Sequence, residues 1–335
     1  MNGTEPPDVS KSRALSTSDI ILVSYLCLVI VTALFGNALL GIVIIKKSLL
    51  QNVHYYFILN LVVANFLNAL LKIPTSILIR VDKDWYPHYG VCYFTTPLGV
   101  LFGSASVGTL ATVAINRYLV IASPFSYSDK MPPAFAKTIL AGIWIGALGL
   151  AIPPTTWRSK DSICSSGGVS SEHKLSEILY FVLALWMFVI IIPSIVMFMA
   201  YFKIYLIARN HAKRMEAQQT PALTHTDQQT KKRRRDLKAA VVLAVIGGIF
   251  IICWLPFFVV QAIHKFGGHK LNPIYFNVFL CIMYTNAALD PLVLLFFNAE
   301  MRVAFVRVFC KRLIRVRPQS GANTTCGHAS AVIQT

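Results

Sequence analysis

Arg117, Asp236, Lys72 and Asp290 are the ionisable side chains whose surroundings most restrict what they can do, because each stands inside or at the edge of an apolar run. A guanidinium at Arg117 needs an anionic partner, and Asp236 could supply one as a latch between two segments; the other reading is two charges snorkelling separately. Asp290, with Asn37, Asn65, Ser106 and Asn286, forms an oxygen-rich set with one potential negative charge. Such a layer suits water or a sodium ion, since hard cations take oxygen ligands, or it packs as a hydrogen-bonded layer around a neutral carboxyl. Lys72 reads either as a counter-charge for an acidic ligand, such as a lipid carboxylate or phosphate, or as a cation snorkelling to headgroups. Catalysis finds no comparable support. Asp290 has no second carboxylate at its depth and His264 and His269 stand at or beyond the outer end of their apolar run, so no acid–base pair, metal set or activated nucleophile assembles.

Membrane-spanning helices must position these residues. Of 335 residues 56% are hydrophobic and only 13% charged, which departs far from a soluble domain. A spanning helix needs about 20 mainly apolar residues. Seven stretches qualify, near 20–45, 55–79, 91–122, 135–154, 177–208, 237–264 and 273–297. The first is too long for a cleaved signal and lacks a small-residue cleavage site behind it. The expected fold is therefore an all-α membrane protein: a 1–19 extracellular tail, a 20–297 seven-transmembrane helix bundle, a 298–314 amphipathic helix and a 315–335 cytoplasmic tail. In the amphipathic segment Met301, Ala304, Phe305, Val308 and Phe309 recur at helical spacing among basic residues.

Basic loops stay cytoplasmic, and an external N-terminus puts 21 of the 31 Lys and Arg inside, nine outside and Lys72 within a span. The net charge of +17 then faces anionic lipid, and the run Lys231 to Arg235 reads as a membrane-flanking element, not a nucleic-acid site. That run closes a polar third internal loop, Asn210 to Arg235, expected to be flexible. Seven cysteines cannot all pair. Cys92 opens the third span and Cys164 follows the fourth, so an extracellular disulfide between them would pin that loop over the bundle mouth. Cys27, Cys253 and Cys281 read as small core or lipid-facing residues, and Cys310 as a juxtamembrane palmitoylation candidate. Asn2-Gly3-Thr4 is a glycosylation sequon. A short N-terminal tail leaves no room for a ligand-binding ectodomain, so recognition falls to the bundle and its loops.

The landmarks come in a definite order. Gly36-Asn37 lies in the first span, Asn65 in the second, Ser106 and Asn116-Arg117-Tyr118 in the third, Trp144 in the fourth, and Pro193 and Tyr201 in the fifth. Cys253-Trp254-Leu255-Pro256-Phe257-Phe258 marks the sixth, and Asn286 and Asp290-Pro291 the seventh. On these residues the chain strongly resembles the rhodopsin-like G-protein-coupled receptors over about 20–315. The resemblance implies a plasma-membrane receptor in which breaking the Arg117–Asp236 latch lets the sixth helix swing outward and frees Arg117 for a heterotrimeric G protein. It implies Trp254 as a rotamer switch two residues before the Pro256 kink, with Pro193 and Pro291 as further kinks, and Phe125 after Pro124 as an apolar knob for the G-protein α subunit.

Several positions depart from the family pattern. Asn116 stands where an acid is usual, which throws Arg117 onto Asp236 and implies raised basal activity. Asn65 and Asp290 exchange the usual Asp and Asn, so one carboxylate has crossed the bundle. Leu294 replaces the usual tyrosine after Pro291, which removes a partner from Tyr201. By position the ligand cavity is lined by Lys72, Gly99, Val100, Gly103, Leu185, Val189, Phe257, Phe258, Gln261 and Tyr284. Amine receptors need a carboxylate at Gly99, and catechol readers need hydroxyls at Leu185 and Val189, so a non-aminergic, small or lipid-like ligand is expected. No lysine occurs between Lys270 and Lys311, which removes covalent retinal. Ser320, Thr324, Thr325, Ser330 and Thr335 permit receptor kinases and arrestin. The competing readings are a ligand-independent receptor or scaffold, and a transporter or channel, which would show inverted repeats or a polar stripe through the membrane.

Overall fold

The computed structural model describes residues 15–46, 49–81, 89–153, 180–181, 183–217, 225–266 and 272–309. Among them, seven helices are long and apolar enough to cross a membrane. They are α1 (Thr17–Lys46), α2 (His54–Leu78), α3 (Tyr89–Ala122), α4 (Pro133–Ala151), α5 (Leu183–Asn210), α6 (His225–Phe266) and α7 (Pro273–Phe297), followed by the short α8 (Ala299–Phe309). The ends fall close to the apolar runs, since hydrocarbon length and helical rise fix them together.

The loop between α5 and α6 is a correction. Helix continues from α5 to Ala217 and restarts at His225, so most of the segment expected to be flexible is helical extension. Basic, Gln-rich sequence supports helix as well as coil once an adjoining span supplies the nucleus.

α3 is the centre of the bundle and touches α2, α4, α5 and α6, while α1 packs on α7, α2 and α8, and α7 on α6. Lipid drives helix association weakly, so close approach over small residues holds such bundles. A Cβ on Gly36 would lie 2.8 Å from Pro291 Cγ, and one on Gly103 would lie 2.6 Å from the Trp254 ring. Large apolar side chains that face outward, such as Phe35, Ile145 and Ile252, remain exposed as a lipid-facing surface requires.

Two π-helical turns, Asn68–Lys72 in α2 and Trp186–Ile191 in α5, each end two residues before a proline, Pro74 and Pro193. Proline cannot donate its N–H, and its ring crowds the carbonyl four residues back. Those carbonyls belong to Leu70 and Val189, inside the widened turns, so the turn absorbs the clash. Each added residue also rotates the remainder of the helix relative to a plain α-helical path.

The N-termini of α7 and α8 are both capped. Asn272 Oδ1 accepts from Ile274 N at 3.0 Å to start α7, and Asn298 Oδ1 accepts from Glu300 N at 3.0 Å and Met301 N at 3.3 Å to start α8. α8 buries Met301 and Ala304 and exposes Arg302 and Arg307, the two-faced pattern read from sequence. Residues 310–314 of the expected helix lie outside the described residues, as do Cys310, the tail and Asn2.

Candidate functional site

Arg117 lies buried near one end of α3. Three phenols, Tyr55, Tyr201 and Tyr127, and the Asp236 carboxylate of α6 lie within electrostatic reach of its guanidinium, while its Nε has no hydrogen-bond partner among the described residues. Asn116 does not turn to Arg117. Its Oδ1 accepts from Tyr127 Oη at 2.8 Å and so anchors the short helix Tyr127–Lys130 that follows α3. Burial raises the pKa of the Tyr127 phenol, which keeps it a donor, against the opposing pull of Asn116 and Arg117. Tyr118 instead lies under the Lys203 ammonium, 5.4 Å from the ring centre, which ties α3 to α5. Phe125, between the two helices, is 87% exposed.

Beside this end is a cavity of about 620 Å³, lined by Leu49, Lys238 and Ala239 of α6, Phe297 and the first turns of α8. Leu294 is fully buried in the main apolar core, and Tyr201 packs against Gly247 of α6, 3.5 Å from the position its Cβ would take. The inner ends of α5, α6 and α7 are thus joined by packing where the family's usual pattern has a second phenol.

At mid-bundle the expected polar layer is assembled. Asn65 Nδ2 donates to Asp290 Oδ2 at 2.8 Å, Asn286 Nδ2 donates to the same oxygen at 3.4 Å, and Ser106 Oγ donates to Asn65 Oδ1 at 3.1 Å. Asn37 stands apart from the carboxylate and donates to the Ala33 and Ala287 carbonyls at 2.8 and 2.9 Å, bracing α1 on α7. Asp290 Oδ1 and Asn286 Oδ1 are buried acceptors with no partner among the described residues. A second polar chain was not expected: Trp144 Nε1 donates to Asn60 Oδ1 at 2.8 Å, Asn60 Nδ2 to Thr109 Oγ1 at 2.8 Å, and Thr109 to the Ala105 carbonyl at 2.6 Å. The signal was available, since Asn60 lies on the same apolar run as Asn65.

Above the layer, Trp254 inserts over Gly103, tilted against Phe250 at 5.1 Å and stacked on Phe258 at 6.1 Å. Trp186, turned inward by the α5 π turn, meets Phe258 edge-on at 5.9 Å and joins an aromatic group that sequence spacing missed. Val189 and Phe257 are buried; Val100, Leu185 and Gln261 are half-buried. Lys72 lies against α3. Its stem lies across Gly99, where a Cβ would stand 2.9 Å from Lys72 Cε, and its Nζ lies 3.5 Å from Ser76 Oγ. Ser76 Oγ in turn lies 3.0 Å from Tyr284 Oη of α7. Gly99 leaves a groove on α3 that the stem fills, and Ser76 stands one turn nearer the outer end of α2, so the ammonium lies on the outer side of its own Cα. Cys164 lies outside the described residues and nothing is described of the Cys92 side chain. Cys27 is exposed, and Cys253 and Cys281 are buried free thiols.

This arrangement of seven spans, an Arg117 terminus and a mid-bundle carboxylate coincides with a family profile, the seven-transmembrane receptors of the rhodopsin family, which matches residues 36–294. The chain belongs to the rhodopsin family of seven-transmembrane receptors. It is a receptor and not an enzyme. The 5-hydroxytryptamine receptor 4 of Cavia porcellus is 28% identical to it, covering 90% of this chain and 82% of that one. The histamine H2 receptor of Cavia porcellus is 27% identical over 93% and 85% of the two chains. The adenosine receptor A2b of Mus musculus is 26% identical over 95% and 98%. The crystal structure of squid rhodopsin superposes with a TM-score of 0.75 at 21% identity, covering 93% of this receptor and 94% of that chain.

Proposed function

We propose that this receptor lies in the plasma membrane with its N-terminus outside and passes the binding of a small, non-aminergic ligand to a heterotrimeric G protein through movement of α6. The orientation rests on the cytoplasmic excess of Lys and Arg. The observation that carries the coupling is Arg117: a buried guanidinium facing Asp236 across the α3–α6 boundary, beside the cavity under α8. An outward swing of α6 withdraws Asp236 and exposes Arg117 to the G protein's C-terminal helix. Phe125, exposed on the same side, supplies an apolar knob for the α subunit. Arrestin and receptor kinases would act on the tail beyond residue 314.

Two of the relatives are named for amines, 5-hydroxytryptamine and histamine. Against an amine here stands Lys72, whose cationic chain lies on Gly99 where an amine receptor requires a carboxylate. The absence of lysine from α7 argues against covalent retinal. A sodium ion in the polar layer would be held by the unpartnered Asp290 Oδ1 and Asn286 Oδ1, an all-oxygen donor set suited to a hard cation.

The second reading, constitutive signalling without ligand, draws on Asn116, which is occupied by Tyr127 and offers Arg117 no charge. One experiment addresses both. Basal nucleotide exchange is measured on a G-protein panel in membranes holding the receptor, Arg117→Ala or Asp236→Ala. Exchange that rises in Asp236→Ala and vanishes in Arg117→Ala is expected; no response from any G protein in any of the three would remove the coupling claim.

A further inference from the structure

The α2 helix carries two inward cations, not one. Arg80 follows the second apolar run in sequence and counts there as an extracellular charge, yet helix continues to Val81 and Arg80 is only 9% exposed. Its Nε has no hydrogen-bond partner, and its charge reaches the Cys281 thiol of α7. Lys72, Ser76 and Arg80 are spaced by four residues, so they stack on one face of the helix beyond the π turn. Ser76, between the cations, is buried and bonds to Tyr284, which lies one turn from Cys281 on α7. The ladder therefore faces the junction of α2 with Gly99 of α3 and with α7.

Among the described residues the surroundings of this ladder are largely apolar. Ala69, Ile73, Cys281 and Tyr284 belong to one buried cluster with Leu22 and Leu26 of α1, and Ile77 packs against it. Among the described residues no carboxylate pairs with Lys72 or Arg80, whose polar contacts are the Ser76 hydroxyl for Lys72 and none for Arg80 Nε. Two cations about 12 Å apart along a helix, at 1.5 Å per residue, in an apolar seam repel each other and are expensive to hold without an anion.

We infer that the Lys72–Ser76–Arg80 face of α2, with Tyr284 opposite, is the headgroup site for an anionic single-chain amphiphile, whose carboxylate or phosphate lies between the two cations. Ser76 and Tyr284 donate to the anion's oxygens, Lys72 approaches from the Gly99 side and Arg80 from the helix end. Arg80, with a planar fork of donors, sets the geometry of the anion, and Lys72 supplies a point charge. The chain of the ligand lies along the apolar residues beside the ladder. This site rests on the receptor reading above and names the class of its ligand.

The test uses the full-length receptor purified in a neutral detergent, with oleate, 1-oleoyl lysophosphatidate and uncharged oleyl alcohol as probes. Thermal shift measures binding without any G protein. One or both anions are expected to raise Tm with saturable dependence and oleyl alcohol to leave it unchanged; which anion binds tighter identifies carboxylate or phosphate. Lys72→Gln and Arg80→Gln should each weaken apparent affinity about ten- to a hundredfold, the range for losing a charged hydrogen bond. Arg80→Lys should retain part of it, and Lys72→Arg guards against variants that merely fail to fold. Equal shifts from the anions and the alcohol, or affinities unmoved by both Gln variants, would overturn the site. Failed binding beside intact Arg117-dependent exchange strikes only this site, whereas intact binding without exchange strikes the coupling.

Discussion

Asn65→Asp changes one atom at the mid-bundle layer and should be among the most damaging conservative substitutions in the chain. The Asn65 amide donates to Asp290 Oδ2 at 2.8 Å, while its own Oδ1 accepts from Ser106 at 3.1 Å. A carboxylate at 65 keeps the acceptor for Ser106 and loses the donor to Asp290, so the damage is confined to one contact. Two carboxylates at that separation cannot both ionise, so the contact survives only if the pair takes up a proton, at a cost of about 1.5–3 kcal/mol at neutral pH. We expect a destabilisation of about 2 kcal/mol, read as a fall in Tm of the purified receptor, together with reduced exchange activity. The reciprocal pair, Asn65→Asp with Asp290→Asn, again sets a donor against an acceptor across the same gap. It should recover most of the loss, giving a coupling of about 2 kcal/mol in a double-mutant cycle, within the range for residues in one network. A double variant as damaged as Asn65→Asp alone would refute the argument that these two positions exchanged their carboxylate as a unit.

Other positions give tests of comparable size. Gly103→Ala places a methyl 2.6 Å from the Trp254 ring and should cost about 1–3 kcal/mol by overpacking, whereas Gly248→Ala, with nothing within 4 Å, should be nearly silent in the same Tm assay. Trp144→Phe removes the donor to Asn60 Oδ1 and should cost about 1–2 kcal/mol; an unchanged Tm would mean that the α2–α3–α4 polar chain contributes nothing. Phe125→Ala should leave Tm unchanged, because the ring touches solvent, and should lower G-protein exchange at least tenfold in titrations. In the exchange assay Arg117→Ala and Asp236→Ala should move in opposite directions, silent against raised.

Much of the bundle was legible because its determinants are local. Span length is set by hydrocarbon thickness, and polar residues in apolar runs announce themselves one by one, as Asn37, Asn65, Ser106, Asn286 and Asp290 did. Side-chain direction was harder. Lys72 could not be assigned inward from periodicity, because the π turn at Asn68–Lys72 breaks the angular step on which periodicity rests, and Pro74 was its only trace in sequence. The same applies to Trp186 before Pro193. Arg80 was misplaced for a different reason: a basic residue at the end of an apolar run is ordinarily solvated, and the packing of the outer part of α2 on α1 and α3 reverses that. The Asn116 partner, Tyr127, lies in a connection whose geometry no helical repeat encodes.

One stripe of α3 links the two ends of the receptor. Gly99, Gly103, Ser106, Leu110, Val113 and Arg117 succeed one another by steps of four and three, the spacing that keeps residues on a single helical face. The stripe begins under the Lys72 stem, continues beneath the Trp254 ring, donates to Asn65 in the carboxylate layer and ends in the buried guanidinium. At its two glycines the side chains of Lys72 and Trp254 press onto the α3 backbone, so a ligand headgroup that pulls Lys72 away from Gly99 acts on the same surface that seats Trp254 four residues on. α6 carries both Asp236 and Trp254, in one continuous helix and on the same side of Pro256. Repacking at Gly103 therefore has a rigid route to the Arg117 latch that does not need the missing tyrosine at Leu294. On this account Gly103→Ala, which props Trp254 away from α3, should shift basal exchange as well as Tm, and a fall in Tm with exchange per folded receptor unchanged would separate the glycine's packing role from signalling.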